Sequence, residues 1–305
     1  SYVLRDNDPK EYHGMSVHKA VANVNEIIGP KLIGMDVQDQ RALDEVMIAL
    51  DGTADKHVLG GNAIYSTSIA CFRAAAESEH RPLYDYIAQG KIKTVSIPSF
   101  NVINGGLNDG IRQAYNEFIV MPYRAEDIEQ AVEIAVDVFQ HLGPVIKRYT
   151  GKEAAVGRSY GWTAPSENPE ECIKLILEAI DQCGVLDKCA LALDCAISDM
   201  YDAKTKTYYL DGKQRTTEEM IGYMKYLTEK YPFVFVEDML DENDWDGFRR
   251  AHEEIHRTLI IADDFTVTNK ARIERAVAQD SIDGFILKPN QVGTITEALD
   301  AHEYA

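Results

Sequence analysis

Four short apolar runs between Leu191 and Gln291 each end in a charged residue, and this pattern constrains the fold more than any other feature. They are Leu191-Ala192-Leu193-Asp194, Phe233-Val234-Phe235-Val236-Glu237-Asp238, Leu259-Ile260-Ile261-Ala262-Asp263-Asp264 and Gly284-Phe285-Ile286-Leu287-Lys288. The segments between them carry helical periodicity and helix-start signals, so the order reads strand, helix, strand, helix. In a βα barrel the C-terminal strand ends share one face, so Asp194, Glu237, Asp263 and Lys288 are expected to converge there. Three carboxylates and an ammonium around one mouth suit a hard divalent cation with an anionic ligand beside it.

The chain has 305 residues, enough for a barrel of roughly 250 residues and a smaller lobe. A net charge of -19 excludes a nucleic-acid or anionic-membrane surface built on clustered Lys and Arg. No apolar run reaches the roughly 18 residues of a membrane span. Five cysteines lack CxxC spacing. They read as free thiols in a reducing compartment, which favours the cytoplasm.

Taken in order, residues 1 to 16 are polar and irregular. Helical spacing runs from Ser16 to Leu32 with a stop at Gly29-Pro30, then from Val37 to Leu50 and from Asn62 to Ala76, and Pro82-Leu83 opens a short fourth helix. Residues 1–92 thus form a mostly helical lobe without evident chemistry, and residues 93–305 a partial βα barrel carrying the site. In that second part Val95 to Ile103 and Glu117 to Met121 read as strands, and Ala125 to Tyr149 as a long helix. A glycine- and aromatic-rich loop spans Gly157 to Trp162. The helix over Ser166 to Gln182 opens on a Ser166/Glu170 capping signature, and Asp211-Gly212 marks a hairpin. Six or seven strands result where a closed barrel has eight, so the barrel is incomplete as given. The start at Ser1, without Met, reads as an internal portion of a longer polypeptide.

Motifs along nearly the whole chain resemble the enolase family, in family order and with family-like spacing. They include Leu50-Asp51-Gly52-Thr53, Gly61-Asn62-Ala63-Ile64, Phe100-Asn101-Val102-Ile103-Asn104-Gly105-Gly106, Glu117-Phe118, Leu193-Asp194-Cys195-Ala196, Val236-Glu237-Asp238, Asp244-Trp245, Ala262-Asp263-Asp264-Phe265-Thr266-Val267-Thr268-Asn269 and Leu287-Lys288-Pro289-Asn290-Gln291. The resemblance implies an α/β fold: a variant, TIM-like βα barrel behind the mostly helical part of an α+β lobe. It also implies Mg²⁺ held by Asp194, Glu237 and Asp263, with Glu117 and Lys288 as catalytic residues and Lys288 as the base. The implied substrates are 2-phosphoglycerate and phosphoenolpyruvate, and the implied assembly is a homodimer. A lone acid at a strand end is more often a helix cap or surface charge than a metal ligand. Asp238 and Asp264, adjacent acids, read either as supporting the metal ligands from behind or as structural.

Four departures stand against full activity. The family's Gly-Asp-Glu-Gly-Gly loop, with its second catalytic glutamate, is replaced by Gly157-Arg158-Ser159-Tyr160-Gly161-Trp162, which has no carboxylate. Its Ser-His-Ala-Gly mobile loop is replaced by Leu107-Asn108-Asp109-Gly110, without histidine. Asn116 stands where Gln is usual. The family's serine-bearing lid loop would precede Ser1, and its Ser-His-Arg-Ser segment and a further active-site lysine would follow Ala305. Arg158 is a candidate, with Asn116, for substrate binding, and Tyr160 and Trp162 are candidates to fill space that substrate would occupy. The favoured expectation is a catalytically impaired enolase-like protein with a largely preserved metal cluster, serving as a structural or regulatory subunit. The alternatives are an active enolase and a metal-and-lysine enzyme acting on another carboxylate.

Overall fold

The computed structural model describes residues 1–305, which fall into two compact units. One comprises Ser1–Val95, Thr266–Glu274 and Ile286–Ala305, the other Ser96–Phe265 and Arg275–Phe285. In chain order the helices of the N-terminal part are α1 (His18–Asn23), a π turn (Val24–Ile28), α2 (Gly29–Leu32), α3 (Gln40–Asp51), α4 (Gly61–Ser78) and α5 (Leu83–Ala88). There follow β1 (Phe100–Asn108), β2 (Ile111–Met121), α6 (Ile128–Thr150), β3 (Trp162–Thr163), α7 (Pro169–Gln182) and β4 (Ala190–Asp194). A small sheet of β5 (Tyr201–Asp202), β6 (Thr207–Leu210) and β7 (Lys213–Arg215) precedes α8 (Thr217–Lys230), β8 (Phe233–Glu237), α9 (Trp245–Glu254) and β9 (Leu259–Ala262). The chain then forms α10 (Lys270–Ala278), β10 (Gly284–Phe285), α11 (Pro289–Val292) and α12 (Ile295–Tyr304).

In the first unit the helix expected to stop at Gly29-Pro30 runs on to Leu32. The π turn before it absorbs the proline, which has no N–H to donate, and a Cβ on Gly29 would stand 3.0 Å from the Val24 carbonyl. Family-like residues here are structural. Asp51 accepts the Leu59 and Thr53 N–H groups, and Asn62 pairs with both backbone groups of Leu4. Buried Asp44 and Ser68 accept the Thr296 and Ile295 N–H groups at the start of α12, satisfying donors that a helix N-terminus leaves open.

The second unit is an α/β fold, an incomplete TIM-like barrel. Its seven-stranded sheet has the order β10-β9-β8-β4-β2-β1-β3. The strands from β4 to β10 are parallel, as the four apolar runs require, whereas β2 is antiparallel to both β1 and β4. The hairpin cause is local: Asp109 (φ 49°) and Gly110 (φ 83°) form the two-residue connection between paired Asn108 and Ile111. The segment compared above with a mobile loop is therefore the tip of a paired hairpin.

Alternation along the strands sorts their side chains onto two faces. Phe118 and Val120, Leu191 and Leu193, Val236, and Ile260 and Ala262 join the main core with Val138 and Leu142 of α6, Ile173 and Ile176 of α7, and Phe248 of α9. Ile119, Met121, Ala192 and Phe235 form a smaller cluster on the opposite face. Glu117, Asp194 and Glu237 share the parity of this second, inner face.

A bulge sets the first of these acids. Between Asn104↔Glu117 and Gly106↔Gln113 the strand β2 carries extra residues, which thrust the Tyr115 carbonyl towards Gly105. A Cβ there would meet that oxygen at 1.8 Å. Gly105→Ala is expected to cost about 1–3 kcal/mol or more through overpacking, measured by denaturant unfolding, and to shift Glu117 with the bulge.

At α7 the cap is Asn168, followed by Pro169, instead of Ser166, and α3 and α6 begin at Gln40 and Ile128, each three residues later than expected. The Ser166 hydroxyl instead accepts the Asn168 N–H. Glu170, in the first turn of α7, accepts from Lys230 at 2.6 Å, Tyr231 at 2.7 Å and Tyr226 at 3.1 Å, tying α7 to α8 and the start of β8. The Lys230 ammonium and the tyrosine hydroxyls hold its carboxyl down at about 2, from an ordinary 4.5. A depressed acid stabilises the fold above its ordinary value, and that contribution is lost as pH falls from about 4.5 to about 2. Glu170→Gln is expected to flatten this acid limb in melting temperature against pH. All five cysteines are free, and no helix is long and apolar enough to cross a membrane.

Candidate metal and substrate site

Strand register assembles the acids. Glu117 on β2 pairs with Asp194 on β4, and Asp194 pairs in turn with Glu237 on β8. These three carboxylates therefore occupy one row across adjacent strands, which lie about 4.8 Å apart. Asp263 follows the end of β9, the next strand. Carboxylate oxygens of Glu237, Asp238 and Asp263 lie within 4.8 Å of one another, and all three residues are buried.

Asp238 shapes this group from behind. With φ 44° it turns out of β8, and its carboxylate accepts the backbone N–H groups of Asp263 at 3.0 Å and Asp264 at 2.6 Å. Burial pushes its carboxyl up to about 7; the two N–H donors oppose that rise, and the neighbouring Asp264 and Asp263 carboxylates add to it. The same carboxylate that clamps this backbone is also one of the three that converge. Phe265 continues the loop and stacks on Phe248 of α9, its ring centroid 4.0 Å away. Asp244, in the Asp244-Trp245 motif, caps α9 by accepting the Gly247 N–H.

The donor set fits a hard cation. Every candidate ligand is a carboxylate oxygen, no sulfur or imidazole intrudes, and converging buried acids repel one another unless protonated or neutralised. The clustered trio is Glu237, Asp238 and Asp263, and Asp194 adjoins it through strand register with Glu237.

Beside the row lies a cavity of about 480 Å³, lined by Asn104, Gly105, Gly106, Leu107, Asn108, Asn116, Gly157, Arg158 and Ser159. Asn116 connects the two, its amide donating to Asp194 Oδ2 at 2.8 Å. The loop at one wall is fixed by Asn104, whose side-chain oxygen accepts the Gly161 N–H at 2.7 Å, and by Asn101, which donates to the Ser159 carbonyl. Asn104 was visible in sequence only as part of Asn-Gly-Gly; nothing local marks a contact 57 residues away. Arg158 is exposed on this wall.

Two expectations change. Trp162 does not fill substrate space: its indole donates to the Phe139 carbonyl and stacks on the Phe139 ring at 4.8 Å, against α6. Tyr160 is 83% exposed and borders a separate cavity with Phe139 and Gln140. Lys288 was expected at a strand end, but β10 stops at Phe285 and Lys288 instead precedes α11, half-buried, within the first unit.

The model described as the enolase C-terminal TIM barrel domain matches residues 92–305, and that described as the enolase N-terminal domain matches residues 1–87. The chain is 38% identical over 297 residues to the enolase of Methanococcus vannielii, an alignment covering 97% of this chain and 70% of that protein.

Proposed function

The chain belongs to the enolase family, and from that membership we propose that it binds Mg²⁺ and 2-phosphoglycerate and removes the substrate's C2 proton, but completes dehydration slowly. The observation that carries this reading is the register row Glu117-Asp194-Glu237, extended by Asp263, beside a cavity whose loop wall has no carboxylate. Asp194, Glu237 and Asp263 are the proposed metal ligands. Mg²⁺ bound there would supply the positive charge that makes a proton next to a carboxylate removable.

The chain's own residues divide the remaining work. Lys288 takes the C2 proton at Nζ, leaving the electron pair on carbon. Asn116 holds Asp194 by its Oδ2, and Arg158 offers a guanidinium to the substrate phosphate from the cavity wall. Loss of hydroxide from the neighbouring carbon needs a proton so that water can leave, and the Gly157–Trp162 loop has no acid to give it. Glu117, with the inner-face row, is the remaining proposed catalytic carboxylate.

Slow turnover is compatible with a structural or regulatory subunit, and the family precedents of a homodimer and a cytoplasmic location form part of this proposal. So does the division into residues 1–92 as the remainder of the N-terminal lobe and 93–305 as the partial barrel. A fully active enolase is the second reading, favoured by the cavity that Tyr160 and Trp162 leave open. A coupled assay with 2-phosphoglycerate and Mg²⁺ separates the two: a low rate supports impairment, and an ordinary enolase rate removes it.

A further inference from the structure

Asp6, Glu11 and His18, all in the first unit, come together on the N-terminal loop. A carboxylate oxygen of each acid and a ring nitrogen of the histidine lie within 4.8 Å of one another, and His18 Nε2 stands 3.1 Å from Glu11 Oε2. Asp6 is the fixed member. Its Oδ2 and Oδ1 accept the His18 and Lys19 N–H groups at 2.6 and 3.0 Å, and its own N–H donates to the Ser16 carbonyl at 2.9 Å. Residues 6–18 thus form a loop closed at its neck. The Glu11 N–H donates to the Asp8 carbonyl, a turn that folds the loop back. The Lys19 N–H above all, with the His18 N–H, holds the Asp6 carboxyl below the ordinary carboxylate range, so it is ionised at neutral pH. Each of its oxygens accepts one N–H and keeps a lone pair for a further partner.

Ser16 is a second and separate indication. It is only 4% exposed, and its Oγ, shut off from solvent, makes no hydrogen bond. The hydroxyl stands near enough to Asp6 to favour the ionised carboxyl, but not in hydrogen-bonding geometry. A buried polar atom left in this way is costly and calls for a partner such as an ion. An exposed Glu11–His18 ion pair alone would be worth little. It would also leave the Ser16 hydroxyl unpartnered.

We infer that Asp6, Glu11 and His18, with the Ser16 hydroxyl beside them, form a metal site of their own for a borderline divalent cation, Zn²⁺ being the best match. One imidazole nitrogen among oxygens suits such an ion, whereas a set of carboxylates alone suits a hard one. Ligand atoms about 2.0–2.1 Å from zinc stand roughly 3.3 Å apart in a tetrahedron, and the exposed Glu11 and His18 side chains can close the remaining gap by rotation. The ion would tie the tip of the loop to its neck.

The test is calorimetric titration of Zn²⁺ into the whole chain, with excess Mg²⁺ present to compete for the barrel acids. One Zn²⁺ per chain is expected to bind. His18→Ala and Glu11→Gln, at exposed positions, are expected to weaken it by at least about tenfold, the lower bound for groups that merely orient a metal ligand, and Asp263→Asn to leave it unchanged. Co²⁺ in place of zinc is expected to give visible absorption bands that His18→Ala removes. Equal zinc affinity in wild type and His18→Ala would overturn the inference, as would absence of zinc binding in the wild type. Loss of binding in Asp263→Asn alone would also overturn it, by placing the ion on the barrel acids.

Discussion

Ser159→Glu is expected to raise the rate of phosphoenolpyruvate formation by about 10²- to 10⁴-fold, the usual contribution of one placed general acid or base. Ser159 lies on the wall of the cavity that also contains Asn116, whose amide holds Asp194. It lies within the Gly157–Trp162 segment, which has no carboxylate. The loop backbone is already fixed by Asn104 and Asn101, and the bond from Asn101 goes to the Ser159 carbonyl, which the substitution keeps. A new carboxyl therefore enters a supported segment. The measurement is kcat in the coupled assay, with Arg158→Ala as a companion that raises KM for the phosphorylated substrate. An unchanged rate in a folded Ser159→Glu protein would show that the missing glutamate is not what limits turnover.

Asp263→Asn is expected to weaken Mg²⁺ binding by more than about 100-fold, above the 10- to 100-fold effect typical of residues that only support a ligand. The substitution spares the local fold because Asp238 grips the Asp263 backbone N–H, not its side chain. It also removes one negative charge from a buried group of three acids. The variant without metal should therefore melt no lower than the wild type, while the rise in melting temperature on adding Mg²⁺, which follows RT ln(1 + [L]/Kd), should vanish. Calorimetric titration and thermal melts read the two effects separately. Equal Mg²⁺ stabilisation of both proteins would remove Asp263 from the ligand set.

The parallel half of the sheet was legible because β4, β8 and β9 are each an uninterrupted apolar run with a charge at or just after its end. The inner-face row was only partly so. Asp194 and Glu237 announce themselves at strand ends, but Glu117 precedes the apolar part of an antiparallel strand, and only cross-strand register brings it beside Asp194. Asp109-Gly110 is a hairpin dipeptide, and the pairing of Asn108 with Ile111 on either side of it is what makes the segment a tight turn. The cap at Asn168 competed with a plausible Ser166, and the adjoining Pro169 was the deciding signal. Lys288 ended an apolar run without ending a strand, because β10 pairs for only two residues. A contact such as Asn104 to Gly161 leaves no trace in local pattern, since it depends on where a strand and a loop meet.

Proton removal and dehydration are separable in one experiment. The unsubstituted protein is incubated with 2-phosphoglycerate and Mg²⁺ in D₂O, following loss of the C2 proton by NMR and phosphoenolpyruvate by ultraviolet absorbance. A retained base beside a loop without an acid predicts C2 exchange at least about tenfold faster than phosphoenolpyruvate formation. Exchange no faster than dehydration, with dehydration at an ordinary enolase rate, would contradict the account.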